Sequence, residues 1–231
     1  MSDVRLYHTP AQPCGYLEGR SARNLVVDPC STDAYLYQRL AARGFRRSGE
    51  YLYRPACEGC RACISLRLPV IRFRPDRSMR RTLGQNHDVT VKLGPARVDE
   101  ELYDLYRRYL QHRHPDGGMA EGDVEAFASF VLSSWCRTVF LEFRAESKLI
   151  AVAVTDQLLD GLSAVYTFFS PHHAERGLGT LAVLKQIELA RQWGLDWLYL
   201  GYWIQDCRKM AYKARFRPHQ VLTRNGWREV L

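Results

Sequence analysis

In the N-terminal part of the chain, hydrophobic residues recur with two periods, and each period predicts a different kind of element. Alternating apolar and polar positions predict strands over residues 49–55 and 63–70. Over residues 32–43 the spacing is helical, and Gly44 provides the stop signal that ends a helix. A short helix followed by two strands is therefore expected ahead of residue 71.

Two longer helices are predicted in the middle of the chain. Over residues 99–113, Tyr106 and Leu110 fall on one apolar face, and over 123–135 Phe127 occupies the equivalent position. The intervening HPDGGM turn contains a proline and a glycine pair, which interrupt helical structure.

From residue 137 onward the apolar positions follow the period of strands. Three strand-like runs, separated by short polar turns, cover residues 137–145, 148–158 and 163–171. A helical pattern over 179–193 and one more strand over 196–203 complete the series. Three meandering strands, a helix and a returning strand are the element order of a GNAT-type acyltransferase core.

The composition changes between residues 86 and 98, which is where we place a domain boundary. The predicted fold class is α+β. Residues 1–92 are expected to form an N-terminal α+β domain that contains a cysteine cluster. Residues 93–231 are expected to form a C-terminal GNAT-like domain with a mixed sheet.

The distribution of basic residues along the chain favours one class of binding partner. The net charge is +8, and it is concentrated in two segments: residues 72–81 carry five arginines against one acid, and residues 207–228 carry seven Lys or Arg and no acid. Two concentrated basic segments favour a polyanion, and nucleic acid first. A solvated basic surface without a partner is the alternative reading. No run of 18 apolar residues occurs, so no membrane-spanning helix is expected.

Three cysteines, Cys57, Cys60 and Cys63, are spaced three residues apart and invite a metal interpretation. A zinc ion or an iron–sulfur cluster needs four ligands, and Cys14, in a Pro/Gly turn, is the natural fourth. The alternative is a set of small, partly buried residues that hold no metal. The N-terminus lacks the apolar core of a signal peptide, so we expect a cytoplasmic protein with few disulfides.

Two further stretches could carry chemistry. Gly177 and Gly179 precede a predicted helix, where backbone N–H groups can bind an anion. Ala174, however, stands where GNAT enzymes use Arg or Gln for the coenzyme A pyrophosphate, so the loop does not support acetyl-coenzyme A. In residues 198–218, hydroxyl, carboxylate, thiol and amine groups are crowded after a strand. An amphipathic helix with a basic face would also explain that stretch.

Six motifs in order across nearly the whole chain resemble the aminoacyl-tRNA–protein transferases, and among them the bacterial aspartate/glutamate leucyltransferases. The motifs are PCGYLEGRSARN, YLYRPACEGCRACISLRLPV, RFRPDRSMRRTLGQN, YRRYLQHRHPDGGM, VYTFFSP with RGLGT, and YLGYWIQDCRKMAYKARFRP. The resemblance implies transfer of leucine from leucyl-tRNA to the N-terminal Asp or Glu of a protein, which marks that protein for degradation by the N-end rule. It also implies a GNAT-like domain that needs no cofactor for transfer.

The resemblance guides the assignment of the site residues. Many relatives carry Asp where this chain has Ser170, so the proton relay passes by hypothesis to Asp206 or a bound water. Backbone N–H groups or a tyrosine hydroxyl, from Tyr202 or Tyr212, are expected to stabilise the oxyanion. Arginines of the N-terminal domain are expected to bind the acceptor carboxylate. The predicted substrate- and tRNA-binding residues are Arg77, Arg80, Arg81, Arg113, His114, Gly177, Gly179, Lys209, Lys213 and Arg215.

Three alternatives remain open at the level of sequence. An arginyl-tRNA–protein transferase would share the motifs, although no acidic cluster that would bind an arginyl side chain stands out. A metal-binding RNA-binding module without catalysis would explain the cysteines and the charge, but not the element order. A coenzyme A-dependent N-acetyltransferase would explain the fold, but not the loop.

Overall fold

The structure is a computed structural model that describes residues 4–113 and 122–231. It contains a large mixed sheet, a smaller antiparallel sheet and six α-helices within those ranges. In the part of the chain that is described, no helix is both long and apolar enough to cross a membrane.

The smaller sheet is built from four antiparallel strands in the order β1-β4-β6-β5. Its strands are β1 (Leu6–His8), β4 (Asn24–Val27), β5 (Arg46–Ser48) and β6 (Tyr51–Pro55), and a separate two-stranded ladder pairs β2 (Gln12–Pro13) with β3 (Ser21–Ala22). Helix α1 (Ala34–Ala41) begins at Asp33, whose carboxylate accepts the N–H of Leu36 at 2.7 Å. This helix and strand β6 confirm the predictions for residues 32–43 and 49–55.

The larger sheet has eight strands in the order β14-β13-β7-β12-β11-β10-β9-β8. All neighbouring pairs are antiparallel except β11 and β12. The strands are β7 (Ile64–Pro69), β8 (Thr90–Pro95), β9 (Thr138–Ala145), β10 (Lys148–Gln157), β11 (Gly161–Phe169), β12 (Trp197–Trp203), β13 (His219–Thr223) and β14 (Gly226–Val230). Strand β7, which lies just after the cysteine cluster in sequence, therefore sits between β12 and β13.

Helices cover both faces of this sheet because its strands are apolar on both sides. On one face lie α2 (Arg77–Gln85) and α5 (Leu178–Gln192), and on the other lie α3 (Glu100–Arg113) and α4 (Val124–Val131). Alternate residues of β9 divide between the two cores: Leu141 and Phe143 pack with α5, and Phe140 packs with α3. The predicted helices and strands after residue 98 are thus confirmed, and the element order is that of a GNAT-like acyltransferase.

A buried polar network joins the two sheets. Asp156 on β10 accepts two hydrogen bonds from Arg47 on β5, at 2.7 and 2.8 Å, and both side chains are 0% exposed. Thr138 and Tyr37 also donate to the Asp156 carboxylate. Because every member has a partner, the network fixes how the small sheet is placed on the large one.

Candidate active site

The parallel strands β11 and β12 are paired over their first residues only and then diverge. We call the place where they diverge the fork. Their pairing covers only Gly161 to Ser163 against Trp197 to Tyr199, although both strands continue for several residues. At Val165 an extra residue interrupts the ladder with β10 as well. Beyond the fork point, Ala164 to Thr167 are half-exposed in a strand that is otherwise largely buried. The fork is therefore a gap in the hydrogen-bond ladder in the middle of the sheet.

Arg46 fills the closed end of the fork. Its Nη1 donates to Ser163 Oγ at 3.0 Å and to the carbonyl of Tyr199 at 3.1 Å, and its Nη2 donates to the carbonyl of Ala164. Gly201 passes so close that a Cβ there would lie 3.1 Å from Arg46 Nε. Gly201 also has a φ of +78°, which favours glycine, so backbone conformation and packing both require this residue.

Lys213 lies on the β12 side of the fork, inside the protein. Its Nζ donates to the carbonyl of Tyr202 at 2.9 Å, and the side chain is buried. Burial is the main cause that lowers the pKa of Lys213 to about 7, and the positive charge of Arg46 contributes to the same shift. Close to neutral pH, this amine is consequently present in its unprotonated form in a substantial fraction of molecules.

The Cys14–Tyr16 turn reaches the same region from the N-terminal part of the chain. Desolvation of the Tyr16 hydroxyl is the main cause of its raised pKa, and Tyr53, Cys63 and Cys207 raise it further, although the side chain as a whole is 42% exposed. Tyr16 also contributes to the raised pKa of Tyr166 on β11, although burial is the main cause. The turn thus lies near both branches of the fork.

Aromatic side chains form the opposite rim. The ring of Tyr109, on α3, lies 6.2 Å from that of Tyr166 and 5.0 Å from that of Phe169. Arg113 donates to the Tyr109 hydroxyl, and both residues contribute to the electrostatic environment of Tyr212. The half-exposed Tyr212 ring offers a flat surface against which an unpaired base could stack.

The two basic segments meet beside the fork. Arg215 Nη2 donates to Ser78 Oγ at 2.8 Å, and the rings of Phe73 and Phe216 are 6.1 Å apart. We call the resulting surface the basic face, and it comprises the exposed cations Arg77, Arg80, Arg81, Arg208, Lys209 and Arg215. This contact brings the two basic segments, which are far apart in sequence, onto one surface.

The sequence of this chain matches both halves of one known family. Residues 12–81 match the N-terminal profile of the arginine-tRNA-protein transferases, and residues 101–223 match the C-terminal profile. The chain belongs to the arginine-tRNA-protein transferase family. Together the two matches span most of the chain, including the cysteine turn, the fork and the basic face.

Several curated members of the family are similar over nearly their whole length. An aspartate/glutamate leucyltransferase of Hahella chejuensis is 48% identical over 98% of this chain and 99% of its own. The enzymes of the same name from Alcanivorax borkumensis and Halorhodospira halophila are each 50% identical, over 99% and 98% of this chain and 95% and 98% of their own. The chain is thus an aminoacyltransferase of this family.

Among solved structures, L-PGS from Bacillus licheniformis aligns with a TM-score of 0.48 and 11% identity, over 73% of this chain and 49% of that one. Assignment to the transferase family rests on the sequence matches, and the GNAT-like arrangement rests on the strand order and the fork.

Three residues were predicted to be catalytic, and the structure places them in different surroundings. Asp206 is exposed in the turn after β12, and Tyr212 is half-exposed at the rim. Tyr202 is buried, and its hydroxyl donates to the carbonyl of Gly44 at 2.8 Å. Because that bond occupies its proton, Tyr202 is better placed to hold the two sheets together than to stabilise an oxyanion.

The residues predicted to bind substrate and tRNA lie in different surroundings. The arginines and Lys209 are exposed, on the basic face or, for Arg113, at the end of α3. Gly177 adopts a left-handed φ of +66° as the cap of α5, and Gly179 follows in the first turn. His114 lies outside the described residues. The prediction for Lys213 is corrected by the structure: its amine is buried, so it does not fit the predicted contact with a phosphate of the tRNA.

The predicted metal site is not supported by the structure. Cys14, Cys57 and Cys60 are near enough to Cys63 to help raise its pKa to about 12, although burial is the main cause. Within residues 4–113 and 122–231, however, no three Cys, His, Asp or Glu side chains are grouped so that they could hold a metal ion. The Cys57 thiol instead lies against the Arg23 backbone, 3.5 Å from its nitrogen and 3.6 Å from its oxygen. The cysteines are gathered as predicted, but these residues do not fit a zinc or iron–sulfur centre.

Arg46 is the residue of the fork that sequence reasoning missed. The pair Arg46-Arg47 occurs in a short segment that carries no site motif, and a single chain gives no signal that both side chains are buried. The only hint is that both arginines lie between a predicted helix stop at Gly44 and the strand predicted over residues 49–55.

Proposed function

We propose that this protein transfers leucine from leucyl-tRNA to the N-terminal Asp or Glu of acceptor proteins, at the fork between β11 and β12. The observation that carries the proposal is the buried amine of Lys213, whose pKa of about 7 is close to neutral, beside the gap in the sheet. It is supported by the basic face at the rim and by relatives of nearly equal length that are named aspartate/glutamate leucyltransferases.

The chemistry requires little more than positioning and removal of a proton. The ester that joins leucine to the tRNA ribose is already activated, but the α-amino group of the acceptor has an ordinary pKa of about 8 and is mostly protonated at neutral pH. Lys213 accepts a proton from this ammonium group, because its own pKa of about 7 is close to the working pH.

The bonds formed and broken in this reaction balance, and so do the protons transferred. The freed amine forms a C–N bond to the ester carbonyl, and the tetrahedral intermediate collapses as the C–O bond to the ribose breaks. Of the two protons that the ammonium group loses, one is delivered to the departing ribose oxygen and the other leaves to water. Backbone N–H groups at the Val165 bulge are candidates for stabilising the oxyanion, because an extra residue in a strand frees them from the ladder.

Transfer RNA binds the basic face in this proposal. Phosphate contacts dominate the affinity of nucleic acids for proteins, and the exposed arginines of α2 and residues 208–215 lie together at the rim. The half-exposed ring of Tyr212 is placed to stack on an unpaired base at the 3′ end of the tRNA. Asp206 is a second candidate for the proton relay, from its position after β12.

Leucine is the preferred amino acid because the rim is aromatic. Tyr109, Tyr166 and Phe169 form an apolar surface beside the fork, which suits an aliphatic side chain. An arginyl group would call for a carboxylate at the same place. In cells, we expect the product to enter the N-end rule pathway in the cytoplasm.

A donor assay tests the proposal. The protein is incubated with a peptide that begins with Asp and with one of three labelled donors: leucyl-tRNA, arginyl-tRNA or acetyl-coenzyme A. We expect label to enter the peptide from leucyl-tRNA. Peptides that begin with Ala or with an acetylated Asp serve as controls and are expected to remain unlabelled. Transfer from arginyl-tRNA alone would replace leucine by arginine, and transfer from acetyl-coenzyme A alone would contradict the proposal.

A further inference from the structure

Arg46 is a buried cation with no acid beside it. It is 9% exposed, and among residues 4–113 and 122–231 no ion pair joins it to a carboxylate. The adjacent Arg47 differs, because its charge is matched by Asp156 in the same buried network. A buried charge without a counter-ion is costly, so its presence calls for an explanation.

The guanidinium group is held firmly but is not saturated. Three hydrogen bonds, to Ser163 Oγ and to the carbonyls of Tyr199 and Ala164, fix its position at the closed end of the fork. A guanidinium has more N–H groups than these bonds use, so Nε–H and one Nη2–H remain without a partner among the described residues. Two such donors match the two oxygens of a carboxylate.

Arg46 lies close to the residues at which the proposed reaction takes place. Its charge acts on Lys213, Tyr202 and Tyr53, which places it within electrostatic range of the amine that would deprotonate the acceptor. In an N-terminal Asp or Glu, the carboxylate and the α-amino group belong to one residue. A group that holds the carboxylate beside Lys213 would therefore also deliver the amine to it.

In the part of the chain that the structure describes, the two acids nearest to this cluster are already engaged. Asp156, which reaches Arg46 only through Tyr37 and Ser163, already accepts from Arg47, Thr138 and Tyr37. Asp160 is bonded to Tyr199 at the opposite end of the pairing. A carboxylate of a bound ligand would supply the counter-ion that the described residues do not provide.

We propose that the guanidinium group of Arg46 binds the side-chain carboxylate of the acceptor's N-terminal Asp or Glu and so sets the specificity for acidic acceptors. This assignment rests on the proposed function, because it names the acceptor subsite of the same reaction. In this role Arg46 contacts the substrate, whereas Lys213 acts on the substrate's amino group.

The test is a change in acceptor preference for Arg46→Lys, measured as the ratio of kcat/KM for matched peptides that begin with Asp and with Asn. Lysine keeps the charge but offers no bidentate fork. We expect kcat/KM for the Asp peptide to fall about 10- to 100-fold, so that it approaches the kcat/KM of the Asn peptide. The KM for leucyl-tRNA is expected to stay unchanged. An equal loss for both peptides would overturn the assignment, since it would indicate a purely structural role.

Two matched variants keep the result interpretable. Arg54→Lys changes an exposed arginine on β6 that lies over the Phe45 ring, and it is expected to leave the ratio as in the wild type. Ser163→Ala removes one anchor of the guanidinium group without adding bulk, and it is expected to lower the ratio several-fold. If Arg46→Lys fails to fold by circular dichroism, an unchanged ratio in Ser163→Ala overturns the proposal. Absence of leucyl transfer by the wild type would instead contradict the proposed function itself.

Discussion

At the scale of single residues, Lys213 shows how burial turns a lysine, a residue type that is usually exposed and protonated, into a group that can accept a proton. Its ammonium form is disfavoured because the chain encloses it and Arg46 repels it, while the amine donates a hydrogen bond to a carbonyl of β12. Such a lysine lowers the stability of the fold at neutral pH, because the unfolded chain can protonate it freely.

Replacement of Lys213 by Met is therefore expected to separate activity from stability. Loss of the amine should slow leucyl transfer about 10²- to 10⁴-fold, the range typical of acid–base groups. At pH 7 the variant should resist urea at least as well as the wild type, and the wild type should regain stability relative to it as the pH rises from 7 toward 10. Transfer rates and urea unfolding at both pH values measure this, and a destabilised variant with normal activity would contradict it.

The residue scale is also where sequence reasoning is weakest. The segment around Lys213 is identifiable from its crowded polar groups, but whether a given lysine faces solvent or the interior depends on the short helix of residues 208–211 and the turn after it. Burial of Arg46 follows from contacts with strands more than a hundred residues away in sequence. Periodicity within one segment carries no information about such partners.

At the scale of secondary-structure elements, the Arg47–Asp156 pair joins β5 to β10. Both side chains are fully buried, so removal of one leaves the other charge without compensation. We expect Asp156→Asn to lower the free energy of unfolding by about 3 to 5 kcal/mol, as measured by urea denaturation. The control is Glu188→Gln in the exposed pair with Lys185, for which a change below about 1 kcal/mol is expected. Similar values for the two variants would show that the network does not anchor the small sheet.

Elements with a strong apolar period were predictable, and those without one were not. Helix α5 and strands β9 to β11 are buried along most of their length, so their patterns are clear. Helix α2 buries only Met79, and β8 is an edge strand with no buried residue. Each of these elements offers only two apolar residues to a sequence pattern, Met79 and Leu83 in α2 and Val91 and Leu93 in β8. The β13–β14 hairpin was concealed by its basic residues, which indicated a binding segment instead of strands.

At the scale of the whole molecule, the net charge of +8 is arranged so that the basic face adjoins the fork. Binding of tRNA is expected to weaken with salt, because phosphate contacts release counter-ions. In the Arg77→Gln/Arg81→Gln double variant, the slope of log K against log salt should become shallower by about 1 for each lost phosphate contact. Filter binding of leucyl-tRNA at several salt concentrations measures the slope.

A matched control for that experiment is Arg107→Gln, because Arg107 is on α3 and is paired with Asp104. Its slope is expected to equal that of the wild type. Equal slopes for all three proteins would show that tRNA does not lie on the basic face.

The predicted division into residues 1–92 and 93–231 stays a prediction, and the mixed sheet includes β7 from before that boundary.

The central claim is that the neutral amine of Lys213 deprotonates the acceptor at the fork, and the pH dependence of a single turnover tests it most directly. With leucyl-tRNA prebound and an Asp peptide in excess, the wild-type transfer rate should rise with pH through a midpoint of about 7, as Lys213 loses its proton. In Lys213→Met the residual rate should rise through about pH 8 instead, the ordinary pKa of the peptide's own amino group. Superimposable profiles and rates for the two proteins would contradict the account.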